Sequence, residues 1–219
     1  GYQADEVEYL LPSNFLSLRQ QLSSQQDHSV IVEQVLNERI LQISVYWHEE
    51  VDAYDIHIKD VTERKLAEEQ VNHLAFYNQE TNLPNQYKFN ADIDEAIESE
   101  ELFSIGVFAI RSFSEKVSTL GLEATEALVK AVANKISQAL PVGVYFYQTN
   151  DSQFGLLCRK SNNSLALQQL TQVVTGVAEQ SLITHCGEFF VEVDFGYSCY
   201  PIHGDVRNVL IKNAHSALA

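Results

Sequence analysis

Residues 104–110, with the sequence SIGVFAI, form a nearly continuous apolar run in a chain of 219 residues. Strands that are buried on both faces have this composition, whereas strands with one solvated face alternate apolar and polar residues. We therefore expect these residues to form a central strand of a sheet that is covered on its faces by other elements.

The segments around this strand show helical and strand patterns in alternation. The predicted elements are a helix over 85–98, the strand over 104–110, a helix over 123–140, strands over 142–147 and 153–158, a helix over 164–178, a strand over 189–199 and a helix from Asp205. From residue 104 onward the order is β-α-β-β-α-β, which is the ferredoxin-like arrangement. The fold class is therefore α+β, and we expect the helices to cover one face of the sheet, with the first and last helices as additions.

The first third of the chain has a different pattern. Residues 29–35, 40–48 and 54–61 each alternate apolar and polar side chains, which predicts an antiparallel meander with one buried face. A polar helix over 13–26 is predicted to precede it. Three strands and a helix bury little surface, so we expect this part to continue upstream or to pack on a partner.

Composition and charge exclude several classes of protein. The 14 basic and 30 acidic side chains give a formal charge of −16, and 45% of the residues are hydrophobic. This is a globular composition, but such an acidic chain is poorly suited to binding nucleic acid or an anionic membrane surface. No apolar run approaches the roughly 20 residues that span a bilayer. We expect a cytoplasmic fragment of a longer protein, without a nucleic-acid or membrane partner.

The cysteines and histidines indicate no metal site at the level of the sequence. Cys158, Cys186 and Cys199 are odd in number and lack a CxxC spacing, so we predict buried thiols in a reducing compartment. His48 and His57 are predicted on the polar face of neighbouring strands, where solvated side chains are the favoured interpretation.

The segment that joins the two regions reads DVTERKLAEEQV over residues 60–71. Asp60 or Thr62 is suited to cap a helix over residues 62–76. Ala67, Val71 and Leu74 follow at intervals of four and three, which fits a short parallel coiled coil. A linker helix that packs on its own domain fits the same spacing equally well.

Two sequence segments resemble those of a known family. The TNLPN of residues 81–85 resembles the entry segment of GGDEF domains, the diguanylate cyclase family, and the YSCYP of residues 197–201 resembles its closing segment. The DVTERK of residues 60–65 resembles the exit of a PAS sensor domain. The resemblance implies the C-terminal part of a PAS domain over 1–61, a signalling helix over 62–76, and a GGDEF domain with a nucleotide-cyclase palm over 77–219, with its last helix truncated.

The family's catalytic positions have lost their acidic residues in this sequence. The signature loop of the family falls on Asn150, Asp151, Ser152, Gln153 and Phe154, and its metal-binding and catalytic acids fall on Ser152 and Gln153. The metal-binding Asp of the first strand falls on Ala109, and the next Asp falls on Arg111. The backbone carbonyl ligand is that of Ile110. The resemblance therefore implies no catalytic residue and no metal site, since Mg²⁺ requires oxygen ligands.

The family's nucleotide-binding positions are also altered. The guanine-reading Asn falls on Val117, and the guanine-contacting Asp falls on Glu126. Asn85, in the entry segment, completes this vestigial set. The inhibitory RxxD motif falls on residues 141–144, which contain neither Arg nor Asp.

Taken together, the resemblance implies a degenerate GGDEF domain with a regulatory role in a bacterial cyclic di-GMP signalling protein. We expect a homodimer formed through Ala67, Val71 and Leu74 and a downstream EAL phosphodiesterase or binding domain. No cofactor is expected in the GGDEF domain, and the sequence does not specify a PAS ligand. The alternatives are allosteric binding of GTP or cyclic di-GMP without turnover and, ranked last, an active diguanylate cyclase.

Overall fold

The structure is a computed structural model that describes residues 29–51, 53–161, 164–178 and 180–218. These residues form two compact units, which divide between Asn72 and His73. The predicted helix over 13–26 lies outside the described residues.

The first unit is a three-stranded antiparallel sheet followed by a helix, as the alternating pattern predicts. The strands are β1 (Ser29–Leu36), β2 (Arg39–His48) and β3 (Ala53–Asp60), paired in that order, and helix α1 covers Thr62–Phe76. Ile43 and Val45 on the middle strand are fully buried under apolar side chains from all three strands. The period of two therefore places one face of the meander in a core.

The start of α1 is tied to the sheet by hydrogen bonds. The Asp60 carboxylate accepts from the backbone N–H of Thr62 at 3.0 Å and from its hydroxyl at 2.6 Å. The Thr62 hydroxyl oxygen in turn accepts from the backbone N–H of Ile40 on β2 at 2.8 Å. An acidic residue just before the helix satisfies an N–H group that has no partner within the helix.

The second unit contains the predicted order of elements and three additional short ones. Its elements are α2 (Gln86–Glu98), β4 (Phe103–Ile110), α3 (Phe113–Leu120), α4 (Leu122–Ala139), β5 (Val144–Gln148), β6 (Gln153–Arg159), α5 (Ser164–Ala178), β7 (Leu182–Thr184), β8 (Gly187–Phe189), β9 (Val193–Tyr200) and α6 (Arg207–Ser216). The main sheet has the order β5-β6-β4-β9 and all its pairs are antiparallel. This order confirms the ferredoxin-like α+β fold, with the apolar strand β4 at its centre.

Helices cover both faces of the sheet: the two helices of the β-α-β-β-α-β core lie on one face, as predicted, and the additional first and last helices lie on the other. Phe108 and Ile110 of β4 belong to a core with side chains of α4 and α5, whereas Ile105 and Val107 pack in a core with side chains of α2 and α6. Successive residues of a strand point to opposite faces. The nearly all-apolar sequence of β4 is the consequence of this double coverage.

Two short structures differ from the sequence prediction. Helix α3 was not predicted: it is eight residues long and has no buried residue, although Phe113, Val117 and Leu120 recur at intervals of four and three. The strand predicted over 189–199 is interrupted: Phe189 ends the β7–β8 hairpin, and the sheet strand begins only at Val193. The hairpin also makes the prediction of three buried thiols wrong, because Cys186 lies in its turn and is exposed, while Cys199 is buried and Cys158 is half-buried.

Candidate functional site

The strand ends at which we predict the lost metal ligands lie side by side on β6, β4 and β9, and we call this row of strand ends the strand edge. Ala109 on β4 lies directly opposite Gln153 on β6 and opposite Asp194 on β9. The backbone N–H of Ile110 donates to the carbonyl oxygen of Ser152 at 2.9 Å. The structure thus brings Ala109, Ile110, Ser152 and Gln153 together, but these four side chains include no carboxylate.

Arg111, the next residue on this edge, is paired with two carboxylates of the neighbouring strand segment. Its Nε donates to Asp194 at 3.0 Å and its Nη1 donates to Glu192 at 2.7 Å. The hydrogen bond with Asp194, and then the one with Glu192, raises the pKa of Arg111 above its usual range. Both acids at this edge therefore share one permanent cation.

The turn between β5 and β6 is held by its own hydrogen bonds. Asn150 accepts from the backbone N–H of Ser152 at 3.0 Å through its side-chain oxygen, and its carbonyl oxygen accepts from Gln148 at 3.2 Å. Phe154 is fully buried and its ring lies 4.8 Å from that of Phe108. The signature segment consequently folds as a hairpin, and its Phe154 belongs to the core.

A cavity of about 550 Å³ opens beside this hairpin, a volume within the range of small-molecule sites. Its apolar wall comes from α3 and α4, and its polar wall comes from the hairpin and the segment before α2. The lining residues are Tyr77, Asn78, Gln79, Glu80, Asn85, Phe113, Val117, Leu122, Thr125, Glu126, Val129, Gln148 and Asp151. Three of these described lining residues are acidic and none is basic, so the cavity lacks a side chain that would neutralise a phosphate group.

The predicted guanine-contacting positions and the predicted metal positions occupy different places. Val117, Glu126, Asn85 and Asp151 line the cavity, whereas the strand-end residues described above do not. The side chain of Asn85 is already engaged, because its oxygen accepts from the backbone N–H groups of Tyr87 and Lys88 and its amide donates to the carbonyl oxygen of Ala75 at 2.9 Å. Asn85 therefore caps α2, and this structural role accounts for an Asn at this position whether or not a ligand binds.

Sequence reasoning missed three acidic residues at these places and a fourth that is buried elsewhere in the domain. Glu80 lines the cavity, and Glu192 and Asp194 bind Arg111. The fourth, Asp92, is 9% exposed on α2, where it accepts from Lys88 at 2.7 Å and from the hydroxyl of Tyr147 at 2.8 Å. Lys88 and Asp92 are four residues apart on one helix, a spacing from which their contact could have been predicted. The contacts of Arg111 with Glu192 and Asp194 join distant segments and could not have been predicted in this way.

The predicted coiled-coil stripe of α1, formed by Ala67, Val71 and Leu74, is exposed. Val71 is 63% and Leu74 is 55% exposed, and no residue of α1 is buried along its fully described length. On β2, His48 lies 2.9 Å from the carboxylate of Asp55 on β3, and His57 is exposed. The histidines of the first unit are thus solvated side chains in the described structure.

The comparisons with known proteins agree with this architecture. Residues 75–219 match the family described as "Diguanylate cyclase, GGDEF domain". This match covers more than half of the chain. The protein therefore belongs to the GGDEF family.

Solved structures show the same fold at low sequence identity. The coiled coil and GGDEF domain of DgcB from Caulobacter crescentus, solved in complex with c-di-GMP, is 18% identical, with a TM-score of 0.63 over 72% of this chain and 86% of that one. A sensory box/GGDEF family protein from Caulobacter crescentus CB15 is 21% identical, with a TM-score of 0.56 over 65% of this chain and 94% of that one. At such identities the likeness establishes the nucleotide-cyclase palm as the fold.

A longer relative also matches. The uncharacterized protein sll1895 of Synechocystis is 21% identical over 166 residues, which are 74% of this chain. The chain spans about a quarter (24%) of the length of that curated relative. Within the described residues, no helix has both the length and the apolar character that crossing a bilayer requires.

Proposed function

We propose that this GGDEF domain does not synthesise cyclic di-GMP and serves as a regulatory domain in cyclic di-GMP signalling. The observation that carries the proposal is the edge formed by Ala109, Ser152 and Gln153, where the carboxylate ligands for metal ions are replaced. Phosphoryl transfer requires Mg²⁺ to neutralise charge that develops on the phosphates, and Mg²⁺ binds oxygen ligands in near-octahedral geometry. Asp194 and Glu192 do not substitute for the lost ligands, because Arg111 occupies both.

The test is turnover of GTP in the presence of Mg²⁺, with products separated by chromatography. We expect no cyclic di-GMP from the wild-type chain and none from a Gln153→Ala control, because Gln153 performs no chemistry. Magnesium-dependent product that disappears in the Gln153→Ala variant would show that the strand edge is catalytic and would overturn the proposal.

The regulatory mechanism that we propose is mechanical. The first unit, with its three-stranded meander and its DVTERK junction, acts as the C-terminal part of a PAS domain, and α1 relays a change in that domain by dimerisation through Ala67, Val71 and Leu74. The hydrogen bonds that join Asp60, Thr62 and Ile40 support this role, because they fix the start of the helix to the sheet. A downstream EAL phosphodiesterase is the proposed target of the change in domain position.

The cavity supports a second candidate, which is binding of a guanine nucleotide without turnover. Glu126 offers a carboxylate to the N–H groups of guanine, and Phe113 and Val129 supply an apolar wall. Val117 cannot form a hydrogen bond through its side chain. The three carboxylates repel a triphosphate, so we expect guanosine to bind at least as tightly as GTP when Mg²⁺ is absent.

Isothermal titration calorimetry with guanosine and with GTP separates this candidate from the first. Binding of guanosine that is lost in a Glu126→Gln variant would support it, and the absence of heat with both ligands would exclude it. Adenosine is the matched control ligand, because its exocyclic amino group differs in position from that of guanine.

A further inference from the structure

A cluster of three different metal-ligating side chains lies away from both the strand edge and the cavity. Glu123 is in the first turn of α4, and His185 and Cys186 form the two-residue turn between β7 and β8. One ligand atom from each residue lies within 4.8 Å of the other two. His185 Nε2 and a Glu123 carboxylate oxygen are 3.7 Å apart.

We propose that Glu123, His185 and Cys186 form a binding site for Zn²⁺. Zinc takes thiolate, imidazole and carboxylate ligands in a tetrahedral arrangement, and bond lengths of about 2.0 to 2.3 Å place neighbouring ligand atoms about 3.3 to 3.8 Å apart. The three atoms meet this spacing after side-chain movements of about 1 Å. A water molecule completes the fourth position.

The composition of the cluster selects the class of metal. Mg²⁺ and Ca²⁺ prefer oxygen ligands, and this set offers only one oxygen-bearing side chain. Thiolate and imidazole together favour zinc among the available divalent ions. Cys186 is the exposed thiol among the three cysteines, whereas Cys199 is buried in the core and burial raises the pKa of the Cys158 thiol to about 11.

The local structure supports these ligands. The turn is ordered by the Thr184 hydroxyl, whose oxygen accepts from the backbone N–H of Cys186 at 3.1 Å and which donates to the carbonyl oxygen of Gly187 at 3.2 Å. Leu182 at the base of the hairpin is buried in the core that α4 shares. Lys135 of α4 donates to the carbonyl oxygen of Ser181 at 2.9 Å.

The ion would therefore join α4 and the hairpin at a second point. Lys135 ties one end of the hairpin to the helix, and the zinc site would tie the turn to the first residues of the same helix. The exposure of all three ligands, with 86% for the side chain of Glu123 and 70% for that of His185, leaves the site open to an ion from solvent.

Zinc titration of the complete, reduced and metal-stripped chain tests the site. Calorimetry is expected to show one Zn²⁺ per chain, and Co²⁺ is expected to produce a thiolate-to-metal charge-transfer absorption band. Cys186→Ser should abolish that band, and His185→Gln and Glu123→Gln should each weaken zinc binding more than about tenfold. Circular dichroism verifies that these surface variants are folded.

Two matched variants keep the result specific. His57→Gln removes another exposed histidine, and Cys158→Ala removes another thiol, so both should bind zinc as the wild type does. Bound zinc should also slow alkylation of Cys186, whereas Mg²⁺ should not. The proposal is wrong if no saturable zinc binding occurs, or if Cys186→Ser binds zinc with unchanged affinity and stoichiometry.

Discussion

Arg111 donates a hydrogen bond from its Nε to the carboxylate of Asp194 at 3.0 Å, across two neighbouring strand ends and 83 residues of sequence. The pair lies beside Ala109, the position at which we predict a lost metal-binding carboxylate. A guanidinium cannot be deprotonated in a protein, so Asp194 has a permanent partner. The carboxylates of Asp194 and Glu192 at the strand edge thus have a charged hydrogen-bond donor in Arg111.

The first prediction concerns metal binding at this edge. Ala109→Asp alone should not create a Mg²⁺ site, because Arg111 still binds the carboxylates of Asp194 and Glu192 and places a positive charge there. Ala109→Asp combined with Arg111→Gln should bind a divalent ion, since three carboxylates then converge. Paramagnetic resonance with Mn²⁺ as the probe measures the difference. Equal Mn²⁺ binding by the two variants would show that Arg111 does not block the site.

Removal of the ion pair between Arg111 and the two carboxylates should itself change the stability of the fold only slightly. Arg111 is 49% exposed, and solvent screens exposed ion pairs so that they add little to stability. Arg111→Gln alone should therefore leave the urea midpoint of unfolding almost unchanged, which makes it a usable background for the metal experiment.

The second prediction concerns the relay helix. Val71→Glu with Leu74→Glu should shift the chain from dimer to monomer in sedimentation velocity, because two charges would enter the seam of a coiled coil. Leu66→Glu is the control: Leu66 is 56% exposed but lies about 100° around the helix from the stripe. Dimerisation through this stripe is ruled out if the double variant sediments as the wild type does.

The third prediction concerns the buried contact between Tyr147 and Asp92. Burial, followed by the hydrogen bond to Asp92, raises the pKa of Tyr147 far above its usual range, so the hydroxyl remains a neutral donor. Tyr147→Phe removes this donor and should lower the free energy of unfolding by about 1 to 3 kcal/mol. Tyr145→Phe, at a side chain that is 52% exposed, should change it by less than about 0.5 kcal/mol. Similar losses in both variants, measured by urea denaturation, would contradict this assignment.

The fourth prediction compares two glycines. A Cβ atom at Gly196 on β9 would lie 2.8 Å from the backbone N of Leu218 and would also meet the carbonyl oxygen of Ala214. Backbone atoms cannot rotate away, so Gly196→Ala should destabilise the fold by roughly 2 kcal/mol or more. Gly176 in α5 has no atom within 4 Å of such a Cβ, and Gly176→Ala should stabilise by about 0.5 to 1 kcal/mol. Thermal unfolding should therefore shift in opposite directions, and a shift in the same direction would refute the packing argument.

The sequence predicted those parts of the fold that depend on local periodicity. The apolar run of β4 identified the central strand because Val107 and Phe108 are buried on opposite faces. The recurrence of apolar residues every four positions in α4, at Leu128, Val132 and Ile136, identified a helix against the sheet. Helix α3 escaped prediction although Phe113, Val117 and Leu120 form a short apolar stripe, because it is only eight residues long and none of its residues is fully buried. Strands β7 and β8 are three residues long, which is too short for alternation to be recognised.

The candidate sites were predictable only in part, because several of their contacts join residues that are distant in the chain. Alignment with a family placed Ala109 and Gln153 at one edge, and their direct pairing on β4 and β6 agrees with that. The pairing of Arg111 with Asp194 and the approach of His185 to Glu123 join residues far apart in the chain. Contacts of this kind are set by tertiary packing and leave no periodic pattern in the sequence.

The fifth prediction concerns pH and the junction at Asp60. The hydroxyl of Thr62, then its backbone N–H, and lastly the charge of Arg39 lower the pKa of Asp60 below its ordinary value, despite an opposing contribution from desolvation. A carboxyl group whose pKa is lowered by folding stabilises the native state above its unfolded pKa of about 3.9, and this contribution is lost as the pH falls through the folded pKa. Nuclear magnetic resonance titration of the Asp60 carboxyl carbon should therefore give a midpoint below the ordinary one. Thr62→Val should raise that midpoint more than Arg39→Gln does, because the Arg39 guanidinium is 3.5 Å away and exposed. The reverse ranking would mean that charge, rather than the helix cap, holds the start of α1.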